Sequence, residues 1–546
     1  MKNGSVRLAM LTTFLFFSEF LAAQNGSSDG SRLFVTFLTL IVVLIAFVVI
    51  IQVADNLMRL EAKKLAGPKA SEEVSLFPKI SRIFNSDAPK YVGDAPVVHL
   101  KRGYNMELEG AAEKEITEAN VTRFAIQPPN FHGIAPIPKV MVEIGAEVKA
   151  GDPLLYDKKS PSIIHAAPVS GEVIAVNRGA KRAITEVVIL ADKEQKYREF
   201  EAFDLEKGSR DDLVNYLLGS GVWPLIRQRP YHIIANPEEV PVNIFVSTFD
   251  TAPLAPDLNF VVQGNEAAFQ KGLDVLGKLT SGKVHLGLSA NDDENPPAAA
   301  FTEARGVEKH WFRGPHPTGN VGVQIHHIAP ITPQDVVWTM GVQEVITLGK
   351  LFLEQKFIAD RVVAIVGSEV KNPGYVRTKI GANIGELTAG RLIEGKNRLI
   401  SGDVLTGEKK APEGFLNIFD DQVTVIEEGD YYEPFGWLLP QSATPSISPT
   451  FPYTLFKGVK YEPDTNTHGE KRAFVVTGQY ESVLPMDIYV QHLMKSILVN
   501  DFEKMEGLGI YELVEEDVAL CEFACTSKQP LQQILRDGLN TMYEEG

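Results

Sequence analysis

Residues 33–53 read LFVTFLTLIVVLIAFVVIIQV, twenty-one consecutive residues without a charge. At about 1.5 Å rise per residue, a helix of this length matches the ~30 Å hydrocarbon core of a bilayer. A core helix of a globular domain rarely runs so long uncharged, so the stretch predicts a transmembrane helix. Arg59, Lys63, Lys64 and Lys69 follow it, whereas the short segment before it carries only Asp29 and Arg32. The positive-inside rule then places everything after residue 55 in the cytoplasm. Upstream, Lys2 and Arg7 precede the apolar run Leu8 to Phe17, with small residues at Ala22 and Ala23. Residues 1–23 therefore read either as a signal peptide or as a short first membrane helix. Residues 55–98, punctuated by Pro68, Pro78, Pro89 and Pro96, read as a linker.

The remaining length exceeds one hydrophobic core and predicts several folded units. The formal charge of −17 argues against a general nucleic-acid binder, whose phosphate contacts need clustered Lys and Arg. Cys521 and Cys525 are the only cysteines. They exclude a disulfide-built scaffold and an iron–sulfur cluster held by this chain alone, which takes four thiolates.

Residues 99–195 alternate short β-branched runs with turns, and Gly145, Gly151 and Gly171 fall where tight hairpins need a permissive backbone. The pattern resembles the biotinyl/lipoyl-type barrel-sandwich fold. Its hairpin tip reads Asp157-Lys158-Lys159-Ser160-Pro161 without flanking methionine, which argues for a structural or docking module over a modified carrier lysine. Residues 210–355 predict a Rossmann-like α/β domain: the run 243–249 suits a buried parallel strand, 284–288 another, and 266–279 has helical apolar spacing. Neither a GxGxxG after a strand nor a phosphate-loop lysine is present. Gly314 to Gly319 imitates a phosphate loop, but Asn320 stands where the lysine belongs. Residues 360–445, with a turn at Lys371 to Gly374 between two strands, resemble the soluble-ligand-binding β-grasp domain. Residues 446–546 predict a helical end: Val490, Leu493, Met494, Ile497 and Leu498, and then Leu531, Ile534, Leu535 and Leu539, follow helical spacing and read as core.

Several phrases go beyond fold. Trp223-Pro-Leu-Ile-Arg-Gln-Arg-Pro230, Phe249 to Pro256, Gly314 to Gly319 with Ile325-His326-His327, Trp338 through Lys350, Val370 to Pro373, Ile400 to Leu405, Phe435-Gly-Trp437 and Glu515 to Cys525 occur in one order along 99–546. Together they resemble the A subunit of the sodium-pumping NADH:quinone oxidoreductases. The C subunit of the Rnf electron-transport complex has a similar layout but needs cysteine quartets that this chain lacks. The N-terminal anchor departs from the family, whose A subunit is usually soluble.

The resemblance implies a peripheral cytoplasmic subunit at a bacterial inner membrane, docked on the other subunits of the complex and above all on its membrane-embedded B subunit. It would contribute to reduction of a quinone, ubiquinone or menaquinone, coupled to Na+ export. The alternative is a membrane-tethered scaffold without quinone contact. Flavins and iron–sulfur centres are expected in partner subunits, and no catalytic group, bound cofactor or metal is assigned to this chain. A quinone site wants an apolar slot with donors for the carbonyl oxygens. Trp223, Arg227, Arg229 and Tyr231 combine these properties, and the arginines could stabilise charge on a reduced quinone. Against this, Arg227 and Arg229 could simply pair with acids at a domain surface. His316, His326 and His327 are weak metal candidates, because adjacent histidines in a strand face opposite ways. Cys521 and Cys525 read as buried free thiols.

Overall fold

The computed structural model describes residues 39–43, 46–47, 50, 88–433, 435, 443–447, 458–475 and 478–545. The chain divides into two units, 1–88 and 89–546. In the first, the described residues 39–43, 46–47 and 50 are helical. The rest of the expected span 33–53, the segment 1–23 and most of the linker lie outside the described residues. Among the described residues, no helix is long and apolar enough to cross a membrane.

The second unit is built around three β layers. The α/β sheet has the order Val97–His99, Glu308–Arg313, Lys283–Ser289, Asn243–Ser247, Val337–Thr339, Arg227–Arg229, Ile233–Ile234. Its first five strands are mutually parallel, and the last two join antiparallel. The central strands are buried on both faces, which is why their middle residues read as mostly apolar runs. Helices Glu266–Leu279 and Val342–Glu354 pack against one another at their small residues. A Cβ on Gly349 would come within 1.7 Å of the Ala268 carbonyl oxygen, and one on Gly272 within 2.2 Å of that of Val345.

The β-grasp-like sheet runs Glu408–Lys410, Asn397–Ser401, Gln422–Glu427, Asp360–Val366, Gly374–Lys379, Glu113–Glu118. Its hairpin 360–379 turns at Lys371 to Pro373, as the sequence predicts. The barrel-sandwich module sets four strands, Arg123–Ile126, Ile184–Ala191, Gly171–Arg178 and Glu147–Val148, beside three, Lys139–Val140, Pro153–Tyr156 and Ile164–Ala166. Gly145 and Gly151 turn at φ 90° and 94°. Lys158 and Lys159 are exposed at the hairpin tip.

The stretch 97–118 does not stay with the barrel. It adds one edge strand to the α/β sheet and another to the β-grasp sheet before the barrel begins. One apolar core accordingly runs through all three modules, from Leu154 and Val173 through Phe269 and Trp338 to Val363 and Val425.

The C-terminal helices Val490–Leu498, Glu515–Ala524 and Leu531–Glu545 form a second core around Leu493, Met494, Leu520 and Leu535, seated on Phe312 and Val323 of the α/β layer. The expected stripe of Val490–Leu498 is buried except for Leu498, which is 57% exposed at the helix end. His326 and His327 correct the strand reading: they lie in the helix Val321–Ile328, where neighbours diverge by about 100° and not 180°.

Candidate functional site

The phrase beginning at Trp223 lies where the modules converge. Trp223 opens a short helical turn, Trp223–Leu225, and is sealed from solvent. Its indole N–H donates to the Ala235 carbonyl at 2.7 Å, and its ring meets Trp338 edge-on at 5.4 Å. Trp338 in turn donates to Gln228. These contacts lock both tryptophans into the core.

The strand Arg227–Arg229 then alternates, so Arg227 and Arg229 leave on the same face. Their fates differ. Arg229 is fully buried: Nη1 donates to Asp517 at 3.0 Å, Nη2 to Glu516 at 2.8 Å. It is therefore spent on joining the α/β layer to the C-terminal helices, the structural role weighed for it in the sequence. Arg227 is half-buried, 4.8 Å over the ring of Phe419, with Nη1 3.0 Å from His232 Nε2.

After Pro230 the chain folds back through Tyr231 and His232, both with positive φ (76° and 55°). That reversal aims Tyr231 at Tyr511 and Tyr543, ring centroids 5.9 and 5.3 Å away. Burial, reinforced by Tyr511, pushes the Tyr231 hydroxyl up to about 12.

Beside Arg227 stand groups that the sequence reading did not select. His132 Nε2 lies 3.6 Å and His232 Nδ1 3.9 Å from the Glu515 carboxylate, which Arg536 grips through Nε and Nη2. Burial opposes the charge on Glu515, but His232 and Arg536 hold the carboxyl well below its usual range. Burial lowers His132 to about 4 and His232 to about 3, so both imidazoles are neutral at pH 7. Arg536 thus neutralises the carboxylate while Arg227 stands on the far side of His232, with the two neutral imidazoles beside Glu515. This arrangement suits carbonyl oxygens or a developing negative charge.

Between the modules lies a cavity of about 10 Å³ lined by Phe131, His165, Pro224, Leu225 and Ile418 among others, room for one water molecule. His165 is 2% exposed there, neither ring nitrogen has a hydrogen-bond partner, and its ring meets Phe131 at 4.4 Å.

The histidines singled out in the sequence are not brought together. His316 faces Thr251, His326 bonds Glu512, and His327 bonds the Pro485 carbonyl. Gly314 to Gly319 is filled from within: a Cβ on Gly319 would come within 2.7 Å of the Thr251 amide nitrogen. Two other trios, His132, His232 and Glu515, and His285, Glu308 and His310, each bring three potential ligand atoms within 4.8 Å of one another. The alternating Glu308 and His310 were a legible hint of a shared strand face, but the register that adds His285 was not. Cys521 and Cys525 are buried free thiols, Cys525 Sγ 2.9 Å from the Tyr480 hydroxyl.

The modules match three family models in the same order. These are the NqrA N-terminal barrel-sandwich hybrid domain over 98–192, the NqrA second alpha/beta domain over 208–357, and the NQRA C-terminal domain over 362–411. The Na(+)-translocating NADH-quinone reductase subunits A of Saccharophagus degradans, Yersinia pestis and Vibrio atlanticus are each 38% identical over 454 residues, 82% of this chain and 100% of theirs. Among solved structures, the NAD+-reducing [NiFe]-hydrogenase in the air-oxidized state aligns over 64% of this chain and 67% of its own. At 12% identity and a TM-score of 0.31, that likeness is too slight to carry an argument. The match over the whole length of these subunits, with the three family models in one order, shows that the chain belongs to the NqrA family, the A subunits of the Na(+)-translocating NADH-quinone reductases.

Proposed function

We propose that this chain acts as the A subunit of a sodium-translocating NADH:quinone reductase at a bacterial inner membrane. Its body lies on the cytoplasmic side and docks on the membrane-embedded B subunit, and residues 33–53 supply a membrane anchor of its own. Flavins and iron–sulfur centres belong to the partner subunits. The observation that carries this reading is the 38% identity over the whole length of relatives named for that subunit.

Within the chain, Arg227 and Tyr231 are the residues proposed to meet the quinone, ubiquinone or menaquinone, with His132 and His232 as neighbouring donors. Trp223 and Arg229 hold the frame beneath them, since both are sealed in packing and ion pairs. A second reading, a membrane-tethered scaffold without quinone contact, is favoured by one observation. Two of the four expected contact residues, Trp223 and Arg229, are sealed in the core and in ion pairs.

The test is a tagged pull-down from mildly solubilised membranes, with NADH-driven, sodium-stimulated quinone reduction assayed in the same sample. Activity with flavin-containing partners supports the assignment; recovery without such partners or activity overturns it. Arg227→Gln then separates the two readings. A raised KM for quinone supports contact, and unchanged KM and kcat leave the scaffold.

A further inference from the structure

We propose that His285, Glu308 and His310 form a binding site for one divalent transition-metal ion of the zinc type. The three residues come from neighbouring parallel strands, in a register that pairs His285 with Glu308 and Gly287 with His310. Side chains alternate along each strand, so all three project from the same face of the sheet. His285 Nδ1 lies 2.9 Å from His310 Nε2 and 3.7 Å from the nearer Glu308 oxygen. Ligand atoms around a tetrahedral ion with bonds of about 2.0–2.1 Å stand roughly 3.3 Å apart. Small side-chain adjustments reach that spacing.

The surroundings orient one ligand in advance. His285 Nε2 is 3.0 Å from Asn243 Oδ1, and that oxygen also accepts from the Lys283 backbone N–H at 3.2 Å. The second contact fixes which end of the Asn243 amide is oxygen, so His285 carries its proton on Nε2. Its Nδ1 lone pair therefore points at His310 and Glu308. Metal-bound histidines are held in the same manner, the far ring nitrogen donating to an oxygen. Phe245 stacks on the imidazole at 4.7 Å and holds the ring plane.

Charge separates this trio from the other one. Glu515 is already forked by Arg536, and His232 faces Arg227, so two guanidiniums that never lose their charge repel a cation there. At Glu308 the competitor is the single ammonium of Lys283, which is 63% exposed and free to turn into solvent. Two imidazoles and one carboxylate match zinc-type ions; magnesium and calcium prefer all-oxygen sites. The fourth position faces outward beside the half-exposed Glu308, where water or a partner's side chain would complete the shell.

The experiment titrates the full-length chain, stripped with a chelator, with Co2+ and then Zn2+. The expected result is one Co2+ per chain with the absorption of a four-coordinate ion, displaced by Zn2+, and a higher melting temperature in Zn2+. Asn243→Ala should weaken binding by roughly 10–100-fold, and Glu308→Gln, a change at the surface, by at least as much. His132→Ala should leave it unchanged. Absence of stoichiometric binding by the wild type, binding equally tight in Glu308→Gln, or loss in His132→Ala instead would each overturn the proposal.

Discussion

The guanidinium of Arg229 lies 3.0 Å from the carboxylate of Asp517, with the two side chains only 1% and 0% exposed. The pair joins the α/β sheet to the C-terminal helix Glu515–Ala524. Removing Arg229 leaves Asp517 buried and uncompensated, which costs about 3–5 kcal/mol, whereas removing Asp517 leaves the guanidinium paired with Glu516. Arg229→Met is therefore expected to lower the denaturation midpoint sharply, and Asp517→Ala less so. The double change Arg229→Met with Asp517→Leu should be milder than Arg229→Met alone. A double variant at least as unstable as the sum of the singles would show that the pair is not the source of the effect.

His165 predicts a pH dependence. Burial lowers it to about 3, against 6.5 when exposed. Between these values the unfolded chain takes up a proton that the folded chain refuses. Its contribution is complete above pH 6.5 and is lost as pH falls toward 3. By pH 5 the loss amounts to about 2 kcal/mol. Urea midpoints measured at pH 7 and pH 5 should converge in His165→Leu relative to wild type, and an unchanged slope would refute the assignment.

Three helix glycines separate packing from propensity. Gly349→Ala drives a methyl against the Ala268 carbonyl, and Gly272→Ala drives one against that of Val345. Overpacking of this kind costs about 1–3 kcal/mol, more than the roughly 1 kcal/mol that alanine contributes to a helix. Gly277 in the same helix as Gly272 has open space around its missing Cβ. Calorimetry should show Gly349→Ala and Gly272→Ala melting lower than wild type and Gly277→Ala melting higher.

Cys521 and Cys525 should resist thiol reagents. Both are buried, and burial pushes the Cys521 thiol well above its usual value. Ellman's reagent is expected to find no reactive thiol in the native chain and two after denaturation. Fast labelling of the native protein would place one of them at the surface.

Much of the layered fold was legible because it is local. Ile244, Phe245 and Val246 form an unbroken apolar run because their strand is covered on both faces, and Glu266–Leu279 repeats its apolar residues at the helical period because one face is buried. Turn glycines such as Gly145 and Gly151 marked hairpins for the same kind of reason: only a residue without a side chain adopts that backbone cheaply. The family phrases were legible as an ordered set.

The site was less legible. Arg227 and Arg229 look alike in sequence, two residues apart on one strand face. Only the packed structure sends Arg229 into an ion pair with a residue 288 positions away and leaves Arg227 beside His232. His326 and His327 sit in a helix, not a strand, because the apolar Val323 and Ile325 are buried against different neighbours, the C-terminal core and Phe245. His285 meets His310 through strand register, which no short-range spacing encodes. By itself the sequence determined which segments bury apolar faces, since that depends on periodicity within a few residues. Which charges meet was decided only by the tertiary structure, because burial removes the water that would otherwise let every charged group stand alone.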